Sequence, residues 1–294
     1  MKVLIVAKKT NLELHGNQID QNVAKGTLDK AYLKNLQTSH DEHYRTLDQL
    51  IASLKEVDLS YEIISRGLFW PKLKDVSAVI TVGGDGTVLE ASHHLLTDKI
   101  PLIGIRSSEM SVGILCAGSQ VNVPSLVKQL KAGGLSYLKV KRLCAEITYA
   151  QSGTKIVTDP ILNDFLFANK SPALTSRYNL TYKQVSEDQK SSGVWVSTAI
   201  GSTAAIGAAG GKLLSREEER SQFLVRELYQ RQDHKKLILD SRLFDSNSDR
   251  LAITNHNDEA ILALDGQHGL ISLTFGDHIV FKKASALSLL ESVE

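Results

Sequence analysis

The chain has 294 residues, 42% of them hydrophobic and 23% charged, a composition that can bury a core without disulfide staples and excludes disordered and mini-protein classes. Lys and Arg number 34 against 33 Asp and Glu, so the formal charge of +1 offers no field to hold a polyanion, and nucleic acid is not expected as a partner. No apolar run approaches the ~20 residues of a membrane span, and the Met1–Ala7 run meets Lys8 and Lys9 too early for a signal peptide, so a cytoplasmic protein without a membrane partner is expected.

In chain order, Lys2 to Ala7 reads as a short strand. Leu33, Leu36, Tyr44, Leu47, Leu50, Ile51 and Leu54 recur at spacings of three and four and make 28–57 an amphipathic helix. Further strands are predicted at 60–65, 77–82 and 100–105, with continuous apolar runs that suit a parallel sheet covered on both faces. Val123 to Lys131, with Pro124 near its start and Gly133-Gly134 at its end, reads as a helix. From Leu135 the period shifts toward two, giving strand-like runs at 137–149, 155–167, 178–185 and 194–198. A charged helix is expected from about Ser215 to Gln232, then strands at 236–239, 250–254, 260–264, 270–275 and 278–281. The alternation predicts an α/β, doubly wound N-terminal domain over 1–134 and a mostly β C-terminal domain over 135–275. Cys116 and Cys144 lack CxxC spacing and read as reduced, buried thiols.

The most informative segment runs from the apolar strand Val79-Ile80-Thr81-Val82 into Gly83-Gly84-Asp85-Gly86-Thr87 and then into a helix. Glycines let backbone N–H groups close on a phosphate, and a helix N-terminus adds partial positive charge, so this turn is a candidate phosphate cradle. The competing fingerprints fail, because GxGxxG needs Gly where Leu89 stands and a P-loop needs Gly-Lys-Ser/Thr. A tight turn capped by Asp85 is the plain structural alternative.

Two other segments carry chemistry. Gly201-Ser202-Thr203-Ala204-Ala205, followed by more small residues to Gly211, lets a flat base or ribose approach the backbone; Ser202 and Thr203 can bond a sugar hydroxyl or cap a helix. Asn163-Asp164 joins an amide that suits an adenine edge to a carboxylate that suits ribose hydroxyls, although neighbours on a strand point to opposite faces and the pair taken alone reads as surface. Arg177 and Arg226 could neutralise phosphates or form exposed salt bridges.

Together, GGDGT at 83–87, Asn163-Asp164, the Ser191-Ser192-Gly193 to Gly211 pattern and Asp265-Gly266 resemble the NAD kinases over nearly the whole chain. Ser191-Ser192-Gly193, Ala204-Ala205, Ser176-Arg177 and the 222–227 segment resemble the branch that includes the plant NADH kinase. The resemblance implies an NAD kinase-like, two-domain fold whose C-terminal tail, 276–294, packs back on the first domain. It implies an ATP-dependent enzyme that phosphorylates the 2′-hydroxyl of the adenosine ribose of NAD+ or NADH, with Mg2+ or another divalent cation carried by ATP, and a homodimer. Carried over residue by residue, Asp85 is the catalytic base and Gly83, Gly84, Gly86 and Thr87 bind phosphate. Asn163, Asp164, Arg177, Ser192, Ser202, Thr203 and Ala204 bind the dinucleotide. Rival functions are a lipid kinase sharing the GGDGT loop and a non-catalytic dinucleotide-binding protein. Ser192 stands where most bacterial members carry an Asp, and Arg106-Ser107-Ser108-Glu109 replaces their Asn-x-Gly loop. A neutral Ser192 removes a charge that favours the oxidised nicotinamide, so NADH is expected to react at least as well as NAD+.

Overall fold

Val3, Leu4, Ile5 and Val6 are fully buried, so the first strand, β1 (Lys2–Ala7), is covered on both faces as a central parallel strand requires. It opens a computed structural model that describes residues 1–67, 70–230, 236–266 and 268–291. Next comes a helix absent from the sequence reading, α1 (Asn11–Ala24). Thr10 starts it with a capping box, its hydroxyl accepting the Glu13 N–H while the Glu13 carboxylate accepts the Thr10 N–H at 2.7 Å. The long helix α2 (Lys30–Glu56) buries His43, Thr46, Leu50 and Leu54 along one stripe. The elements β2 (Ser60–Ser65), β3 (Val76–Gly83), α3 (Asp85–His94), β4 (Leu102–Arg106), β5 (Gly118–Ser119), α4 (Val123–Ala132) and β6 (Tyr137–Val140) follow. α4 stops at Gly133, whose φ of 70° is the left-handed conformation that glycine adopts without strain.

The next strands are β7 (Leu143–Thr148), β8 (Lys155–Val157), β9 (Asp164–Asn169), β10 (Ser176–Tyr182), β11 (Val185–Ser191) and β12 (Gly193–Ser197). A single helical turn, α5 (Ala205–Ala208), separates them from β13 (Ser221–Arg226), β14 (Ser241–Phe244), β15 (Leu251–Asn255), β16 (Ala260–Leu264), β17 (Gly269–Leu273), β18 (His278–Lys283) and β19 (Leu287–Leu290). The helix expected over 215–232 is not formed: 221–226 is strand β13, with Phe223 and Val225 buried at the period of two, and the Glu217–Arg220 charges form the turn before it. Residues 231 and 232 of that expectation lie outside the described residues.

The chain divides into two compact units, 1–139 with 287–294, and 140–286. The division falls at 139/140, inside β6 and five residues past the expected boundary at 134/135, and of the tail expected over 276–294 only the part from Leu287 joins the first unit, while β18 belongs to the second. Residues 292–294 lie outside the described residues.

In the first unit the sheet order runs β2-β1-β3-β4, every pair parallel, with β19 also parallel beside β4. The chain leaves β1 for β2 on one side and returns to β3 on the other, so the topological switch point falls between β1 and β3. Open α/β sheets bind ligands outside the carboxyl ends of strands at such a point. The second unit is α-poor, with two six-stranded antiparallel sheets, β11-β10-β15-β18-β7-β8 and β14-β13-β12-β9-β16-β17. Phe165, Phe167, Tyr178, Phe223 and Phe281 share one core there, and ring pairs such as Phe165 with Phe281 at 5.5 Å join the sheets.

Candidate active site

The carboxyl edge of the first unit's sheet is built by β3 and the turn into α3. A Cβ on Gly83 would lie 2.2 Å from Thr87 Oγ1, so the turn closes this tightly only with glycine there. Gly84 is the N-cap of α3 and supplies no side-chain cap, which leaves the Asp85 and Gly86 N–H groups at the helix start facing outward for a ligand. Thr87 is buried and its N–H returns to the Gly84 carbonyl at 2.9 Å. The Asp85 carboxylate points to a second loop. Its two oxygens accept the Ile114 N–H at 3.1 Å and the Leu115 N–H at 2.7 Å. Asp85 thereby fixes the 113–115 turn beside the glycines as well as offering its remaining lone pairs.

Three neighbouring strand ends complete this edge. The Lys8 N–H donates to the Val82 carbonyl at 3.0 Å, the Arg66 N–H to the Ala7 carbonyl at 2.8 Å and the Ser107 N–H to the Gly83 carbonyl at 2.9 Å. Arg66 Nη1 lies 3.3 Å from where a Cβ on Gly86 would stand, and its Nε pairs with Glu90. Arg106 pairs with both oxygens of Glu109 at 2.9 and 3.0 Å. Behind them, buried His43 meets the Ser107 hydroxyl through Nδ1 at 3.0 Å. Burial, reinforced by the charge of Lys8, lowers the His43 pKa to about 4, so the ring is neutral near pH 7. The sequence reading singled out none of Lys8, His43 or Arg66, because a lone residue after a strand has no local signature.

In the second unit, Asp265 organises Asn163 and Asp164. Asp265 follows β16 at a φ of 43°, unusual for a residue other than glycine, and is nearly buried. Its carboxylate accepts three successive N–H groups, Leu162 at 2.8 Å, Asn163 at 2.7 Å and Asp164 at 3.0 Å, and its own N–H donates to the Asp164 carbonyl at 2.9 Å. This clamp sets the start of β9. The Asp164 side chain is only 5% exposed and its carboxyl has no hydrogen-bond partner among the described residues. Burial, with the adjacent Asp265 carboxylate adding to it, pushes its pKa up to about 7.

The small-residue block packs against the same place. A Cβ on Gly201 would lie 2.1 Å from the Asn163 carbonyl oxygen, and the Thr198 N–H donates to that oxygen at 3.0 Å. Ser202 is fully buried, its hydroxyl accepting the Leu214 N–H at 2.9 Å, so it holds the loop; Thr203 is exposed and Ala204 half-buried. Asn163, Asp164, Ser202, Thr203, Ala204 and Asp265 therefore gather at one end of β9. Arg177 and Ser192 do not join them. Ser197 pairs with Asp164, whereas Ser192 lies just before β12 and Arg177 follows Ser176, whose hydroxyl accepts the Asn169 N–H at 2.8 Å. Both stand at the far end of β9, about 17 Å along the strand at ~3.3 Å per residue. There Arg226 donates to the Ser192 carbonyl at 3.4 Å, and Gly193 turns at a φ of 121°.

Residues 6–113, all within the first unit, match the family model of the ATP-NAD kinase N-terminal domain. A probable NADH kinase of rice is 26% identical over 257 residues, covering 80% of this chain and 77% of the rice protein. An NAD kinase of Clostridium kluyveri is 28% identical over 249 residues, covering 79% of this chain and 81% of that one. A crystal structure of yeast NADH kinase complexed with NADH aligns with a TM-score of 0.73 at 15% identity, covering 100% of this chain and 84% of the yeast chain. The fold is the two-part NAD kinase fold, an α/β N-terminal part and a mostly β C-terminal part.

Proposed function

We propose that this chain, a kinase by its matched domain and its likeness to NAD and NADH kinases along most of its length, is an ATP-dependent NAD(H) kinase. It transfers the γ-phosphoryl group of ATP to the 2′-hydroxyl of the adenosine ribose of NAD+ or NADH. The observation that carries this reading is the uncapped Gly83–Thr87 turn at the start of α3, inside the matched domain. Phosphoryl transfer passes through a loose transition state that asks for alignment and charge neutralisation more than covalent chemistry. The Asp85 and Gly86 N–H groups at the start of α3 and the helix dipole bind donor phosphates. A divalent cation carried by ATP would add charge neutralisation at the phosphates. Asp85, steadied by two loop amides, orients the attacking hydroxyl and accepts its proton.

On the acceptor side, Asn163 suits the adenine edge, Asp164 the ribose hydroxyls, and Thr203 with Ala204 offer a surface that a flat ring can approach. Ser202 contributes by fixing the loop. Arg177 and Ser192, at the other end of β9, serve the far part of an extended dinucleotide, and the neutral Ser192 lets NADH react at least as well as NAD+. A cytoplasmic homodimer completes the reading. The test is a coupled assay of the purified protein with ATP, Mg2+ and NAD+, NADH or diacylglycerol. NADP+ and NADPH should form, and diacylglycerol should stay unphosphorylated; diacylglycerol turnover, or nucleotide binding with no phosphorylated product, contradicts the assignment.

A further inference from the structure

We propose that Lys8 binds the terminal phosphates of the donor nucleotide, completing the cradle that the glycine turn begins. The inference rests on the kinase reading above but concerns a residue that no motif marks. Lys8 is the first residue after β1, and β1 and β3 flank the switch point of the sheet, where an open α/β fold places its ligand. Its N–H holds the Val82 carbonyl at 3.0 Å, so the Lys8 backbone lies directly beside Gly83.

Of the cations on this edge, Arg66 is engaged by Glu90 and Arg106 by Glu109. Lys8 is half-buried and its ammonium has no hydrogen-bond or ion-pair partner among the described residues, whereas Lys9 beside it is exposed. The groups that face it are Glu42 and His43 of α2. Glu42 raises its pKa, burial lowers it by more, and neutral His43 brings no compensating charge. Partly drying an ammonium without a partner is unfavourable, and a phosphate oxygen arriving at the open first turn of α3 relieves that cost. A compact ammonium with three donors can serve oxygens of two successive phosphates, which amides alone do not neutralise. Lys8 thus supplies charge to the donor, while Asn163 and Asp164 are left to the acceptor.

The test compares wild type with Lys8→Met and Lys8→Gln, with inorganic tripolyphosphate as the probe of the cradle. In steady-state assays kcat/KM for ATP should fall at least tenfold in both variants, while KM for NADH stays within twofold. Tripolyphosphate should inhibit wild type competitively against ATP, and its inhibition constant should rise at least tenfold in the variants. Without ligand, Lys8→Met should melt no lower than wild type, because it removes a half-buried charge. Variants that keep kcat/KM for ATP within twofold, or lose ATP and NADH in equal measure, overturn the proposal. Tripolyphosphate binding, followed by calorimetry, is read without turnover: loss of that binding in the variants supports the Lys8 site even where no NAD(H) is phosphorylated, and unchanged binding refutes it even where NAD(H) is.

Discussion

Asp164→Asn separates what the site costs the fold from what it gives the ligand. Asp164 is 5% exposed, its carboxyl lacks a hydrogen-bond partner among the described residues, and burial pushes its pKa from an ordinary 3.8 up to about 7. A raised folded-state pKa means that the folded protein holds this proton more tightly than the unfolded chain. Stability is therefore lost as pH rises from about 4 to about 7. A shift of about three units at ~1.4 kcal/mol each bounds the loss at about 4 kcal/mol. Asparagine keeps the shape and removes the charge. Urea unfolding from pH 4 to pH 8 should show the variant equal to wild type near pH 4 and more stable by about 1–4 kcal/mol at pH 8. The same variant should bind NADH more weakly by roughly 1.5–3 kcal/mol, having lost a charged acceptor for ribose hydroxyls, with ATP affinity little changed. A variant less stable than wild type at pH 8 would refute the reasoning, since it would mean that the native fold stabilises the Asp164 charge.

Burial holds the His43 pKa near 4, below the ordinary 6.5, so stability should fall by ~3 kcal/mol as pH drops between those values; His43→Gln should flatten that limb in denaturant titrations. Asp85→Asn presents an amide to one of the two loop N–H groups and removes the proton acceptor. It should lower kcat by ~10²-fold or more, with a smaller change in KM, in single-substrate kinetics. Gly201→Ala puts a Cβ 2.1 Å from the Asn163 carbonyl and should destabilise the protein by about 2–3 kcal/mol in thermal melts while weakening NADH binding.

The glycine turn was legible because a buried strand, three glycines and a helix start are contiguous, and the structure forms β3, Gly84 as cap and α3 over those residues. Asn163-Asp164 taken alone read as a surface pair. What buries Asp164 is the clamp from Asp265, about a hundred residues away, and local pattern does not register such a contact. Lys8 and Arg66 carry no local signature for the same reason: they come beside Arg106, which the sequence marks only as part of a replaced loop, once β1, β2, β3 and β4 align in parallel. By contrast, the capping-box spacing of Thr10 and Glu13 marks the start of α1 in the sequence itself. Around Glu217 to Arg220 the charges suggested a helix face, and the alternation of Phe223 with Val225 was the better guide. The separation of Ser192 from Asp164 depends on β9 and β12 pairing antiparallel, and that of Arg177 on the Asn169 N–H reaching the Ser176 hydroxyl at the other end of β9.

The most direct test of the central claim is the fate of the γ-phosphoryl group. Wild-type protein is incubated with γ-labelled ATP, Mg2+ and NADH, and the labelled product is identified by phosphorus NMR and by digestion specific for a 2′-phosphate. The account predicts label on the 2′-oxygen of the adenosine ribose, none on an analogue that lacks that hydroxyl, and a loss of ~10²-fold or more in rate for Asp85→Asn. Label at another hydroxyl, label released only as inorganic phosphate, or an Asp85→Asn rate equal to wild type would contradict it.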